Sequence, residues 1–128
     1  MLFWDLQNFS HLTSGATVLR DAEWFSHSVI FAWPVQKMWK KSYNDYTDIN
    51  YVDRSHSKIN GNYILANGDD YSMLNLYKWP CVNANAKCIE ADGHSSHITN
   101  VRFSLDDKFI ISTGGEDNSV FIWKVTPM

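Results

Sequence analysis

The sequence predicts an all-β fold: a partial β-propeller of about two WD repeat blades, each an antiparallel four-stranded sheet. Three observations carry that prediction. Gly93-His94 stands shortly before an apolar run at residues 98–103. A second run at 109–113 is followed by a glycine-rich turn holding Asp117, and a third run ends in Trp123. The same order of runs and turns recurs, less regularly, in the middle of the chain. A unit of this kind cannot bury both its faces, so it must stack on others.

Four stretches follow. Residues 1–20 are expected to be the end of a preceding blade, because Leu2-Phe3-Trp4-Asp5-Leu6 reads as a third strand carrying the Trp-Asp dipeptide. Residues 21–46 are expected to hold an outer strand plus an aromatic-rich insertion, with Trp24, Trp33-Pro34 and Trp39. Residues 47–92 form an atypical blade, with strands expected at 49–52, 63–66, 73–77 and 87–91. In it Gly68-Asp69-Asp70 is matched to Gly115-Glu116-Asp117 and Tyr77 to Trp123, which requires one extra residue in the turn after Asp70. Residues 93–128 form the final blade. Near-alternation at 98–103 marks a half-buried strand, and the continuous run at 109–113 marks one buried on both faces. The third strand, 119–125, puts Val120 and Ile122 on one face and Phe121 and Trp123 on the other.

This phasing leaves the final blade without a fourth strand. Two blades do not close a ring, since propellers take about four to eight. The chain is therefore expected to be the carboxyl-terminal piece of a longer protein, or a truncated product, packed against the remaining blades of its parent.

At 128 residues and a net charge of −3, the chain is one domain's worth of sequence. Its mildly acidic balance argues against nucleic acid, whose binders concentrate basic charge on one surface. The chain has no apolar run of roughly 18 residues, so no membrane span is expected. Met1 to Phe9 carries Asp5 and no basic residue, unlike a secretory signal. Cys81 and Cys88 have no second pair to complete a metal site and read as buried free thiols of an intracellular chain.

His94, Thr113, Asp117 and Trp123 are read together as one buried hydrogen-bond network. An indole N–H, an imidazole, a hydroxyl and a carboxylate each need a partner when buried. A general base with its orienter is the sharper alternative for His94 and Asp117. It lacks company, because no nucleophile in a recognisable elbow accompanies the pair. His94 and His97 are spaced as zinc ligands can be, but no cysteine or carboxylate nearby completes a set of four. His11, His27 and His56 are scattered across turns. Asp69-Asp70 and Asp106-Asp107 fall where turns favour Asp, rather than facing one cleft as in a glycosidase. Gly114-Gly115 is not a phosphate loop, since neither Lys-Ser nor Lys-Thr follows. Neither a cofactor nor catalysis is expected. Lys37, Lys40 and Lys41 form the one basic cluster, a candidate partner-binding loop for an acidic surface. An ordinary solvated loop is the plainer reading of those three lysines.

Gly93-His94-Ser95-Ser96-His97-Ile98-Thr99-Asn100-Val101, followed by Ile111-Ser112-Thr113-Gly114-Gly115 and Asp117, resembles the final repeat of the echinoderm microtubule-associated protein-like family. Asp21-Ala22-Glu23-Trp24, Trp33-Pro34, Thr47-Asp48-Ile49-Asn50, Gly68-Asp69-Asp70 and Tyr77-Lys78-Trp79-Pro80-Cys81 match its preceding repeat in order. The resemblance implies a parent with tandem atypical propellers that binds tubulin and microtubules in the cytoplasm, of which this chain forms the last blades. A WD repeat adaptor for another complex, in signalling or in cilia, is the alternative.

Overall fold

A computed structural model describes residues 2–40 and 47–126. Among these residues nine strands group into three antiparallel sheets. β1 (Trp4–Asp5) and β2 (Ser10–His11) form a small hairpin. β3 (Ile49–Arg54), β4 (Ile64–Asp69), β5 (Met73–Lys78) and β6 (Cys88–Asp92) form a four-stranded meander. β7 (Ile98–Phe103), β8 (Phe109–Gly114) and β9 (Val120–Lys124) form a three-stranded one. The architecture is all-β, with antiparallel sheets stacked as partial propeller blades.

The two larger sheets are built on one template. In the first, Ile49 pairs with Asp69, with a bulge before Tyr51. In the second, Ile98 pairs with Gly114, with a bulge before Asn100. Leu65 lies opposite Tyr77 and Ile110 opposite Trp123, so Tyr77 and Trp123 are equivalent. The expected match of Asp70 to Asp117 is corrected, however. Asp69 stands at the place of Gly114, Asn67 at that of Ser112 and Gly68 at that of Thr113. Five residues separate the paired Gly68 and Leu74, against six between Thr113 and Val120, so the earlier turn is one residue shorter, not longer. Both turns place one non-glycine residue at positive φ, Ser72 at 70° and Asn118 at 50°.

The four-stranded sheet is covered on both faces. Val35 and Met38 pack with Ile49, Val52, Leu65, Tyr77 and Cys81 on one side. On the other, Ala66 and Leu74 pack with Ile98, Val101, Phe103 and Ile110 of the next sheet. Gly68 makes that stacking close: a Cβ there would fall inside van der Waals contact of Ile98 and Val101. Polar ties flank the apolar seam. The Asp53 carboxylate accepts the Phe103 N–H at 2.8 Å. Arg102 lies over the Tyr51 ring and donates to its hydroxyl. Asp107 reaches from the β7–β8 turn to accept the N–H groups of His56 and Ser57 at 2.9 and 2.7 Å.

The amino-terminal part is less regular than its sequence predicts. Of residues 2–6 only Trp4 and Asp5 are extended, and among the described residues of 21–40 the one regular element is a 3-10 turn, Trp33–Val35. Pro34 fixes φ for that turn, and Val35 below it is fully buried. The rest of the stretch 21–46, expected to hold an outer strand plus an insertion, falls on 41–46, outside the described residues. No helix among the described residues is long and apolar enough to cross a membrane.

A buried polar network as the candidate functional site

Strand alternation sets the centre of the site. On β8, Ile110 and Ser112 point to the face that carries the core, and both are buried. Trp123 comes in from β9 opposite Ile110. Its indole N–H donates to the Ser112 hydroxyl at 2.8 Å. Ser112 Oγ lies 2.7 Å from His94 Nε2, and His94 Nδ1 lies 2.8 Å from Asp117 Oδ2. The indole can only donate, so Ser112 uses its own proton toward His94 Nε2, and His94 Nδ1–H faces the carboxylate. The order is thus Trp123 to Ser112 to His94 to Asp117. The imidazole meets the Phe121 ring edge-on, with centroids 4.5 Å apart.

Asp117 is held by more than the imidazole. The N–H groups of Ser95 and Ser119 donate to it at 3.1 and 3.2 Å. Burial alone would raise its pKa, but these bonds and those from the His94 and Ser119 side chains outweigh it and hold the carboxyl down at about 2. Gly114 makes the room, because a Cβ there would collide with the Asp117 carboxylate.

His94, Asp117 and Trp123 are therefore brought together, and Thr113 is not. The period of two sends Thr113 to the opposite face, where its hydroxyl lies 2.8 Å from that of Thr99. Ser112 supplies the hydroxyl in its place. The Ser112–His94–Asp117 order has the distances of a proton relay, yet Ser112 is fully buried and its oxygen already accepts the indole proton. An attacking oxygen needs an approach to substrate and a donor pair for the developing charge, and this geometry offers Ser112 no such approach. What the arrangement does chemically is satisfy four polar groups, the buried His94 and Ser112 and the partly buried Asp117 and Trp123, and tie the β6–β7 connection, β8, β9 and their turn into one unit.

The preceding blade solves the same problem with other residues. Asn67, at the position of Ser112, accepts the Asn75 amide at 2.9 Å, and that amide also donates to Asp69 Oδ2 at 2.9 Å. Asp69 further accepts the N–H groups of Tyr71 and Met73. Lys40 closes the cluster, donating to Asn75 Oδ1 at 2.8 Å and Glu90 Oε1 at 2.5 Å, with Asp69 Oδ2 4.0 Å away. Lys40 is thus an internal cation of this blade rather than a solvated loop residue. Lys37 is exposed, its backbone N–H on the Cys81 carbonyl, and Lys41 lies outside the described residues. Sequence reading missed Asn67, Asn75, Ser112 and Ser119. The signal for the first was there: an amide inside the run Leu65-Ala66-Asn67 needs a buried partner.

The remaining histidines are spread out. His11 meets Trp4, His27 bonds the Val29 carbonyl, His56 lies 3.0 Å from Asp107, and His97 bonds Ser96. Among the described residues there is no group of three or more His, Cys, Asp or Glu able to hold a metal ion. Cys81 and Cys88 are free, and burial pushes the Cys81 thiol up to about 11, far from a reactive thiolate.

Comparison with known proteins agrees with this architecture. Residues 1–125 match the family described as the echinoderm microtubule-associated protein second beta-propeller. The chain is 35% identical to mouse echinoderm microtubule-associated protein-like 3 over 125 residues, covering 98% of this chain and 13% of that protein. It is 39% identical to the 77 kDa echinoderm microtubule-associated protein of Lytechinus variegatus, again over 98% of this chain and 18% of that protein. The chain thus spans less than a fifth of these relatives. It is also similar to the computationally designed Ika4 protein, at 20% identity and a TM-score of 0.41 over 57% of this chain and 39% of that one, too weak a likeness to bear on the assignment. Family match and identity agree over nearly the whole chain: it belongs to the echinoderm microtubule-associated protein family, as a stretch of the second β-propeller.

Proposed function

We propose that this chain is a non-catalytic WD repeat segment of a microtubule-associated protein, packing against the remaining blades of a longer parent that binds tubulin or microtubules as a scaffold in the cytoplasm. The observation that carries this reading is the family match, whose relatives are named as microtubule-associated proteins. Two features support it. The residues best suited to acid–base chemistry, His94 and Asp117, are spent on holding the final blade together. The outer face of that blade also carries the residue pattern of a blade contact. Ile64, Ala66, Leu74 and Leu76 of the preceding blade pack against the core built around β7. Their equivalents by strand register are Phe109, Ile111, Val120 and Ile122, and Val120 and Ile122 are 64% and 69% exposed. A next blade covering them would recover roughly 1.5–3 kcal/mol per large apolar side chain.

Co-sedimentation with taxol-stabilised microtubules tests the proposal, comparing this chain with a longer parent that carries both propellers. Salt-sensitive pelleting of the parent is expected. A folded parent that stays in the supernatant would overturn lattice binding and favour an adaptor for another protein complex.

A further inference from the structure

Away from the polar networks, the segment 20–36 and the connections β3–β4 and β5–β6 wall a groove of about 730 Å3, within the usual range for ligand sites of roughly 300–1,000 Å3. Arg54, the last residue of β3, lines it and is only 8% exposed. Its guanidinium lies between two rings, 4.7 Å from Tyr63 and 5.2 Å from Trp79. Nη2 donates to the carbonyls of Trp24 and Phe25 at 2.8 and 3.0 Å, and Nε has no hydrogen-bond partner. Among the described residues no carboxylate lies within ion-pair distance of Arg54. A second cation, the exposed Lys58, lies 5.8 Å from the same Tyr63 ring. In the same lining the exposed Arg20 is compensated by Asp21 at 3.5 Å, and Glu23 directly precedes Trp24.

A guanidinium this deeply buried without a counter-charge is costly, and two carbonyls and two rings compensate only part of that cost. A carboxylate brought into the groove would supply the missing charge, and the planar guanidinium is suited to that group. Trp24, Trp33 and Trp79 offer apolar walls beside it. We propose that this groove binds an acidic peptide segment, with a carboxylate against Arg54 and Lys58 and apolar neighbours against the three tryptophans. The proposal goes beyond the scaffold reading and does not require the partner to be tubulin.

The test is fluorescence anisotropy of a short labelled peptide of alternating glutamate and leucine, titrated with the full chain. The same peptide with glutamine in place of glutamate is the neutral probe, and inorganic phosphate is the competitor. Saturable binding is expected, weakened at least about tenfold in the glutamine peptide, the scale of one charge-assisted hydrogen bond. Lys58→Glu should weaken it comparably, whereas Lys37→Glu, the same charge change outside the groove, should not. Arg54→Gln should abolish binding; if circular dichroism shows that variant unfolded, the Lys58→Glu and Lys37→Glu comparison decides. The proposal is overturned if the folded chain does not bind the glutamate peptide, if the glutamine peptide binds equally, if both lysine variants weaken binding alike, or if phosphate displaces the peptide fully.

Discussion

Asp69 and Asp117 bring a carboxylate to corresponding regions of successive blades from different places in the chain. Asp69 is the last residue of β4, while the residue equivalent to it, Gly114, has no side chain and leaves the space that Asp117 fills from the following turn. The Asp117 carboxyl gives this arrangement a pH signature. Its folded pKa, about 2, lies below the ordinary 3.8, so the folded state favours the ionised form. Its contribution is present in full above 3.8 and is lost as pH falls through about 2. Acid titration of stability should therefore show a loss between those values that Asp117→Asn lacks. A variant whose acid titration matched the parent's would count against the network. His94, Asp117 and Trp123 were legible in the sequence because few residue types serve as buried donor and acceptor beside a glycine-rich turn. Ser112 was not separable from Thr113, since a shift of one residue along a strand exchanges its faces. Lys40 was legible only as one of a basic cluster, and its meeting with Asn75 and Glu90 was not, because it depends on contacts 35 and 50 residues apart in sequence.

At the level of elements, what joins the two blades is a close backbone approach flanked by polar ties. Gly68 on β4 sits against Ile98 and Val101 of β7, so a methyl group there has to displace buried, β-branched side chains. Gly68→Ala should destabilise the chain by about 1–3 kcal/mol, the usual scale of overpacking. Urea denaturation reads this directly, and an unchanged midpoint would show that the sheets are not held at this distance. The seven strands of the two larger sheets were expected within a few residues, because turns of Gly, Asp, Ser, Pro or Asn separate them and they carry alternating or continuous apolar residues. The segment before them was harder to read. Trp24, Trp33 and Trp39 have the apolar character of strand residues, but Pro34 bends the chain between them, and Val35 and Met38 cover the sheet from a turn.

For the molecule as a whole, the uneven distribution of exposed apolar residues matters most. One blade is covered on both faces, and the other shows Phe109, Val120 and Ile122 to solvent. Among the described residues β9 is also the edge of its sheet, which leaves backbone groups open beside those side chains. Replacing Val120 and Ile122 with lysine should cost little stability, within about 0.5 kcal/mol each, because neither side chain is buried. The same change should abolish assembly with further blades. Size-exclusion chromatography of the chain mixed with the rest of its propeller would measure this, and undiminished assembly of the double variant would remove the face from the account.

In the polar cluster of the final blade the hydroxyl that joins the Trp123 indole to His94 is that of Ser112. Urea unfolding of Ser112→Ala beside Thr113→Ala tests it most directly. Loss of Ser112 leaves the Trp123 indole and His94 Nε2 without partners and should cost about 1–3 kcal/mol for each group so exposed. Loss of the Thr113 hydroxyl, bonded to Thr99 outside the network, should cost less than about 1.5 kcal/mol, one ordinary hydrogen bond. A larger loss for Ser112→Ala is the predicted result. Equal midpoints for the two variants, or a Ser112→Ala chain as stable as the parent, would contradict the account.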